Sequence, residues 1–189
     1  MSIVTYLTHY SPAPDKGPAF LFLDYMDYKK LGFNTRQIHA GLDHTPETGA
    51  RGVAIYPTAA YRFKTCEYAA NLFDLSEAGN IYTRLQNPTS SAYEERVAAL
   101  YGGVGALAVA SGMSAILLTV TALVEKGQNI VASPLLYGGT YNQFRHSLRK
   151  LGVEVRIAPT TAPEDFEALI DENTRAVFVE SMGNPTCYV

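Results

Sequence analysis

Four short stretches of this chain carry groups that can hold an anion or a flat ring. Ser111-Gly112-Met113-Ser114 stands between an apolar pentapeptide and an apolar run that reads as a helix. Gly112 lets the backbone turn sharply, and the first N–H groups of the following helix then face outward at the positive end of its dipole, which makes an anion seat. Tyr82 and Arg84 lie two apart, so in extended backbone they share a side. A phenol beside a guanidinium suits a phosphate dianion. Tyr137 precedes Gly138-Gly139, where the chain can pass close to a ligand and the ring can lie on a planar partner. Asn184, in Glu180–Thr186, can donate to a ligand oxygen. Each stretch also has an ordinary reading: a strand–helix turn, a solvated arginine with a rim tyrosine, a packing tyrosine, an Asn-Pro turn. The residues alone leave these alternatives open.

Other chemistries find less support. His9, His39, His44 and His146 form no i, i+4 pair, and no acid or cysteine stands at ligand spacing from them, so no metal is expected. Cys66 and Cys187 lie far apart and outside any CxxC, which reads as free thiols in a reducing compartment. The Ser111 turn lacks the Gly-Lys-Ser/Thr of a P-loop, and Gly102-Gly103-Val104-Gly105 precedes its strand rather than following it.

The elements that would position these residues follow from periodicity and turn chemistry. A short helix is predicted at Thr65–Leu75, with Tyr68, Leu72 and Leu75 on one face. A helix opened by the capping-box spacing of Ser91 and Glu94 runs to Gly102-Gly103. From there, strand and helix alternate. Ala106–Ala110 reads as a buried strand, Ala115–Val124 as a helix and Asn129–Ala132 as a strand. Thr140–Leu151 reads as a helix with Tyr141, Phe144, Leu148 and Leu151 inward. Val153–Ala158 is a strand, Thr161 and Glu164 open a helix to Ile170, and Ala176–Glu180 is the last strand. Continuous apolar strands joined by helices predict an α/β fold with a mainly parallel, covered sheet. In open sheets of this kind ligands bind beyond the carboxyl ends of the strands, and Ser111, Tyr137 and Asn184 all fall there.

The 189 residues are 47% hydrophobic and 17% charged, with a formal net charge of −3. That is ample for a core and offers no basic field to nucleic acid. No apolar run reaches the roughly 20 residues of a membrane span, and the N-terminus shows no signal-peptide pattern. A cytoplasmic protein with no membrane partner is expected. Residues 1–31, with Pro12, Pro14 and Pro18 and no sustained period, read as an extension. Residues 32–80 read as a turn-rich arm, and 81–189 as an α/β domain, which the resemblance below makes the first part of a larger one.

Taken in order, the motifs resemble the cystathionine γ-synthase-like pyridoxal-phosphate enzymes of cysteine and methionine metabolism, nearest their O-acetylhomoserine sulfhydrylase branch. The resemblance rests on Phe33–Gly41, Thr48–Thr58, Ile81–Thr89, Leu136–Asn142 and Gly183-Asn184-Pro185, and covers Phe33 to Val189. It implies the large domain of the fold type I (aspartate aminotransferase-like) transferases, in part, with pyridoxal 5′-phosphate as cofactor. Ser111, Gly112 and Met113 would take the phosphate, Tyr137 would stack on the ring and Asn184 would approach its hydroxyl. Tyr82 and Arg84 would reach the phosphate of a neighbouring subunit, so a homo-oligomer is implied. The family exchanges acetate at Cγ of O-acetyl-L-homoserine for sulfide or a thiol such as methanethiol, with the ring as electron sink. It also implies that the lysine linked to the cofactor lies beyond residue 189, and no lysine here stands at an expected strand end. The expectation is therefore the N-terminal part of a longer enzyme, inactive alone. A non-catalytic partner of a full-length relative, or another transsulfuration enzyme such as a cystathionine γ-synthase or γ-lyase, is the alternative.

Overall fold

The computed structural model describes residues 30–42 and 49–189. Expectations placed on the N-terminal extension and on Thr48 lie outside the described residues. The chain divides into two units, with the boundary between Ala108 and Val109.

In the first unit, α1 (Phe33–His39) packs on α3 (Pro88–Tyr101), and α2 (Cys66–Phe73) lies between them in sequence. Two arginines tie α1 to α3 reciprocally. Arg36 Nη1 donates to the Ala99 carbonyl at 2.8 Å, and Arg96 Nε donates to the Ala40 carbonyl at 2.8 Å. Both acceptors stand near helix ends, where carbonyls lack intrahelical partners. Helix α2 begins as expected, with Thr65 accepting the Tyr68 N–H, but ends at Phe73. Leu75 therefore leaves the predicted face and is exposed, while Leu72 is buried.

Helix α3 starts earlier than the capping-box reading placed it. Its N-cap is Asn87, whose side chain accepts the Thr89 N–H, and Pro88 occupies the first turn. Proline is pre-organised there and loses no intrahelical bond. Asn87 is also the hub of a loop scaffold, its Nδ2 donating to the Tyr56 carbonyl and to Thr83 Oγ1, each at 3.0 Å. Gly102 closes α3 in the left-handed conformation, φ 70°.

The segment Ala106–Ala110 is not a strand. Its amides find no ladder among the described residues, Leu107 is exposed, and the Ala108 N–H is taken by Glu94 Oε1 at 2.7 Å. The apolar composition that suggested a buried strand belongs to an unpaired connection.

In the second unit, α4 (Gly112–Leu123) leads into β1 (Asn129–Ala132), then α5 (Gly138–Asn142), which continues as a π-helical segment, Gln143–Leu148. β2 (Glu154–Ile157), α6 (Pro163–Glu167) and β3 (Thr174–Phe178) follow. The sheet is parallel in the order β2-β1-β3, with Ile130 opposite Val155 and Ala176. Strand β1 is fully buried, as predicted for a covered central strand. The outer strands are not continuous apolar runs. β2 carries Glu154 and Arg156, and β3 carries Arg175, because each has one side open. β3 lies two residues earlier than predicted, which leaves Glu180 beyond its end. Helix α6 is opened by Ala162 rather than Thr161, with Thr160 Oγ1 accepting the Ala162 N–H at 3.1 Å.

The core gathers Ile116, Val120, Val124, Ile130, Leu136, Phe144 and Leu148. Phe144 meets Phe178 edge to face, centroids 5.0 Å apart. Tyr141 and Leu151, predicted inward, are exposed. The buried set is Thr140, Phe144 and Leu148, spaced by four. A π turn is wider than an α turn, so residues four apart stay on one face rather than drifting as the 3.6 period requires.

At the opposite end of the sheet from the strand carboxyl ends, Asp171 joins the strands. It accepts from Asn129 Nδ2 at 2.9 Å and from Arg156 Nη1 at 2.7 Å. These bonds, the one from Asn129 first, hold its carboxyl well below the usual carboxylate range. A carboxyl lowered by folding stabilises the fold fully above its unfolded value, about pH 4, and that contribution fades as pH falls toward the folded value. The urea midpoint of the protein is therefore expected to fall below about pH 4, and Asp171→Asn to lower it at pH 7 and flatten the acid slope. An identical acid slope in the variant would assign the dependence elsewhere.

Candidate functional site

The second unit brings three chain segments together at the carboxyl ends of β1 and β3. The first is the start of α4. Ser111 is extended (φ −156°, ψ 157°) and its side chain accepts the Ser114 N–H at 3.1 Å, while its carbonyl accepts the Ala115 N–H. The N–H groups of Gly112 and Met113 come before the helix's own bonding begins and have no acceptor within it.

The second segment is the start of α5. Tyr137 is its N-cap and supplies no side-chain cap, so its ring is free to serve elsewhere. The ring lies over Gly139. A Cβ at that glycine would stand 2.4 Å from Tyr137 Cε1, so any larger residue forces the ring to move. The third segment follows β3 and contains Glu180 and Asn184.

Ser111, Gly112, Met113, Tyr137 and Asn184 line one cleft of about 360 Å³, with Thr140 and Glu180. The volume falls in the range of small-molecule sites, roughly 300–1,000 Å³. Its contents suit a phosphorylated aromatic ring: unclaimed backbone donors at a helix start, an aromatic face, and an amide.

Tyr82 and Arg84 belong to the first unit and do not line this cleft. They meet each other, but not through extended backbone. Residues 83–85 form a turn, closed by the Gln86 N–H on the Tyr82 carbonyl at 3.1 Å. Arg84 Nη2 donates to Tyr82 Oη, and its guanidinium carbon lies 5.0 Å from the Tyr82 ring centroid. Arg84 is exposed, so the pair presents its charge to solvent.

Sequence reasoning missed Glu180, Thr140 and Gln143. Glu180 Oε2 accepts the Tyr137 N–H and Oε1 accepts from Thr140 Oγ1, both at 2.9 Å. Gln143 Nε2 donates to the Met113 carbonyl at 3.1 Å, which ties the α5 helix to the start of α4. The available signal was a helix start whose N-cap, a tyrosine, cannot cap itself. Among the described residues no lysine lines the cleft. Lys150 is exposed near the end of its helix.

A parallel α/β sheet with open N–H groups at a helix start and a ring-bearing loop at its strand ends is the architecture of a domain suited to seating a phosphorylated ligand. The chain belongs to the Cys/Met metabolism PLP-dependent enzyme family, whose model matches residues 34–189. It is 55% identical over 156 residues to O-acetyl-L-homoserine sulfhydrylase 1 of Thermus thermophilus, covering 82% of this chain and 37% of that one. It is 46% identical over 155 residues to homocysteine/cysteine synthase of Saccharomyces cerevisiae, covering 81% and 35%. The fold matches a crystal structure of an O-acetylhomoserine (thiol)-lyase from Campylobacter jejuni with a TM-score of 0.78 at 36% identity, over 84% of this chain and 39% of that one. That structure contains a pyridoxyl-lysine monophosphate. The match bears out the fold type I architecture implied by the resemblance. The chain spans a little over a third of the length of the curated relatives it matches.

Proposed function

We propose that this chain is the cofactor-phosphate part of an O-acetylhomoserine sulfhydrylase-like enzyme of methionine and cysteine biosynthesis. The whole enzyme would exchange the acetate on Cγ of O-acetyl-L-homoserine for sulfide or a thiol. The carrying observation is the convergence of Ser111, Gly112, Met113, Tyr137 and Asn184 on one cleft. When bound, pyridoxal phosphate supplies an electron sink for the substrate's carbanion. The residues of this chain hold and orient it. The Gly112 and Met113 N–H groups would donate to its phosphate, Tyr137 would cover its ring, and Asn184 would donate to the ring hydroxyl. Arg84 and Tyr82 of a second copy would complete the phosphate seat, which requires a homo-oligomer; the cytoplasm is the compartment that fits its free thiols. With no lysine at the cleft among the described residues, this chain would hold the cofactor non-covalently and would not turn over alone. Residues 1–31 stand before the arm of residues 32–80 and the large-domain portion that begins near residue 81.

The test is a titration with pyridoxal phosphate and with pyridoxal. The chain is expected to bind the first more tightly, by about tenfold or more, because only the first engages the helix start. Gly112→Pro leaves the helix start intact, since proline is tolerated at the first helical position. It removes one donor and should erase most of that preference. Equal affinity for the two aldehydes, or a preference untouched by Gly112→Pro, would contradict the reading.

A further inference from the structure

We propose that Glu180 is a positioning residue that sets the place of the Tyr137 ring in the cleft. The inference rests on the reading of the cleft as a pyridoxal-phosphate site and adds a residue to it. Tyr137 begins a helix it cannot cap with its own side chain. The N–H groups of a first helical turn have no acceptor in the helix and sit at the positive end of its dipole. Glu180, beyond the end of β3, answers both needs from across the sheet. One carboxylate oxygen accepts the Tyr137 N–H, and the other accepts the hydroxyl proton of Thr140, each at 2.9 Å.

The two bonds differ in what they fix. Thr140 is 1% exposed and anchored in the core, so its bond holds the carboxylate. The Tyr137 N–H bond then holds the backbone from which the ring projects. The ring itself is poorly packed, Tyr137 being 48% exposed, and its close neighbour is Gly139. With so little packing around the ring, the backbone anchor determines where it lies. Glu180 thus acts through Tyr137 without touching the ring.

The experiment compares Glu180→Ala, Glu180→Asp and Glu180→Gln in the whole chain by two readouts. Amide hydrogen exchange needs no cofactor. The Tyr137 amide should exchange at least about tenfold faster in Glu180→Ala, as expected for a lost charge-assisted bond, with Ile130 unchanged. Pyridoxal-phosphate affinity gives the second readout. Glu180→Ala should weaken it by about five- to tenfold in the wild-type background and hardly at all in a Tyr137→Ala background, because coupled residues are non-additive. Glu180→Gln keeps an acceptor for Tyr137 and a polar partner for Thr140, and should remain within about threefold of wild type. Glu180→Asp, a methylene shorter, should behave as Glu180→Ala and serves if alanine does not fold. Unchanged Tyr137 exchange, losses that add to those of Tyr137→Ala, or no rescue by glutamine would overturn the proposal. So would failure of both Ala and Asp variants to fold, which would give the carboxylate a role in stability alone. If the wild type takes up no pyridoxal phosphate, the reading of the cleft fails, and the exchange readout still decides the role of Glu180.

Discussion

Phe144→Ala is expected to destabilise the second unit by about 3–5 kcal/mol, the usual cost of deleting a buried aromatic ring. Phe144 is 1% exposed and packs edge to face on Phe178 at an interplanar angle of 82°. It joins the helix continuing from α5 to β3, the elements next to two of the three cleft segments. Small domains are stable by only about 5–15 kcal/mol, so the loss is a large share of the total. Phe144→Leu, which keeps part of the volume, should cost less than Phe144→Ala. Urea unfolding followed by circular dichroism measures both. A loss below about 1 kcal/mol for the alanine variant would mean that the site can collapse around the missing ring, and that the core described above is not what holds the strand ends together.

Arg84→Ala carries the largest functional effect. In a chain continued to the length of its relatives, it should weaken retention of pyridoxal phosphate by roughly ten- to a hundredfold, the equivalent of a charge-assisted bond of about 1.5–3 kcal/mol. The helix start offsets only about half an elementary charge, and the phosphate is a dianion. Tyr82→Phe removes a neutral hydroxyl and should cost less. Arg36→Ala makes a useful contrast. The Arg36 guanidinium holds the Ala99 carbonyl at 2.8 Å rather than an anion. Its loss should lower stability rather than cofactor affinity. Because the proposed function puts Arg84 in the site of a second copy, mixing Arg84→Ala protomers with protomers lacking the cofactor-linked lysine should restore activity that neither parent has. Heterodimers that remain inactive would remove Arg84 from the neighbouring site.

The parts of the fold that sequence made legible are those where local chemistry and burial agree. Strand β1 is apolar through its centre, lies at the centre of the sheet, and was placed to the residue. Gly102 had to end α3 because only a left-handed residue closes that turn, and the Ser111 turn was recognisable from a small polar cap before an apolar helix. The errors have specific physical causes. Ala106–Ala110 has a strand's composition without a strand's partners. The inward reading of Tyr141 and Leu151 extends a 3.6 period across a helix that changes to π at Gln143 and ends before Leu151, which lies in a turn. Ser91 and Glu94 fit a capping box, but Asn87 with Pro88 starts the helix a turn sooner. Glu180 was invisible because its role is non-local: it serves a helix start 40 and 43 residues away in the chain.

The most direct measurement of the central claim is an amide chemical-shift map of the 15N-labelled chain during titration with pyridoxal phosphate. Saturable shifts should centre on Gly112, Met113, Tyr137 and Asn184, with those at Gly112 and Met113 much reduced when pyridoxal replaces its phosphate. Shifts centred on any other part of the chain, or equal shifts at Gly112 and Met113 with the two ligands, would contradict the assignment of this cleft as the phosphate seat.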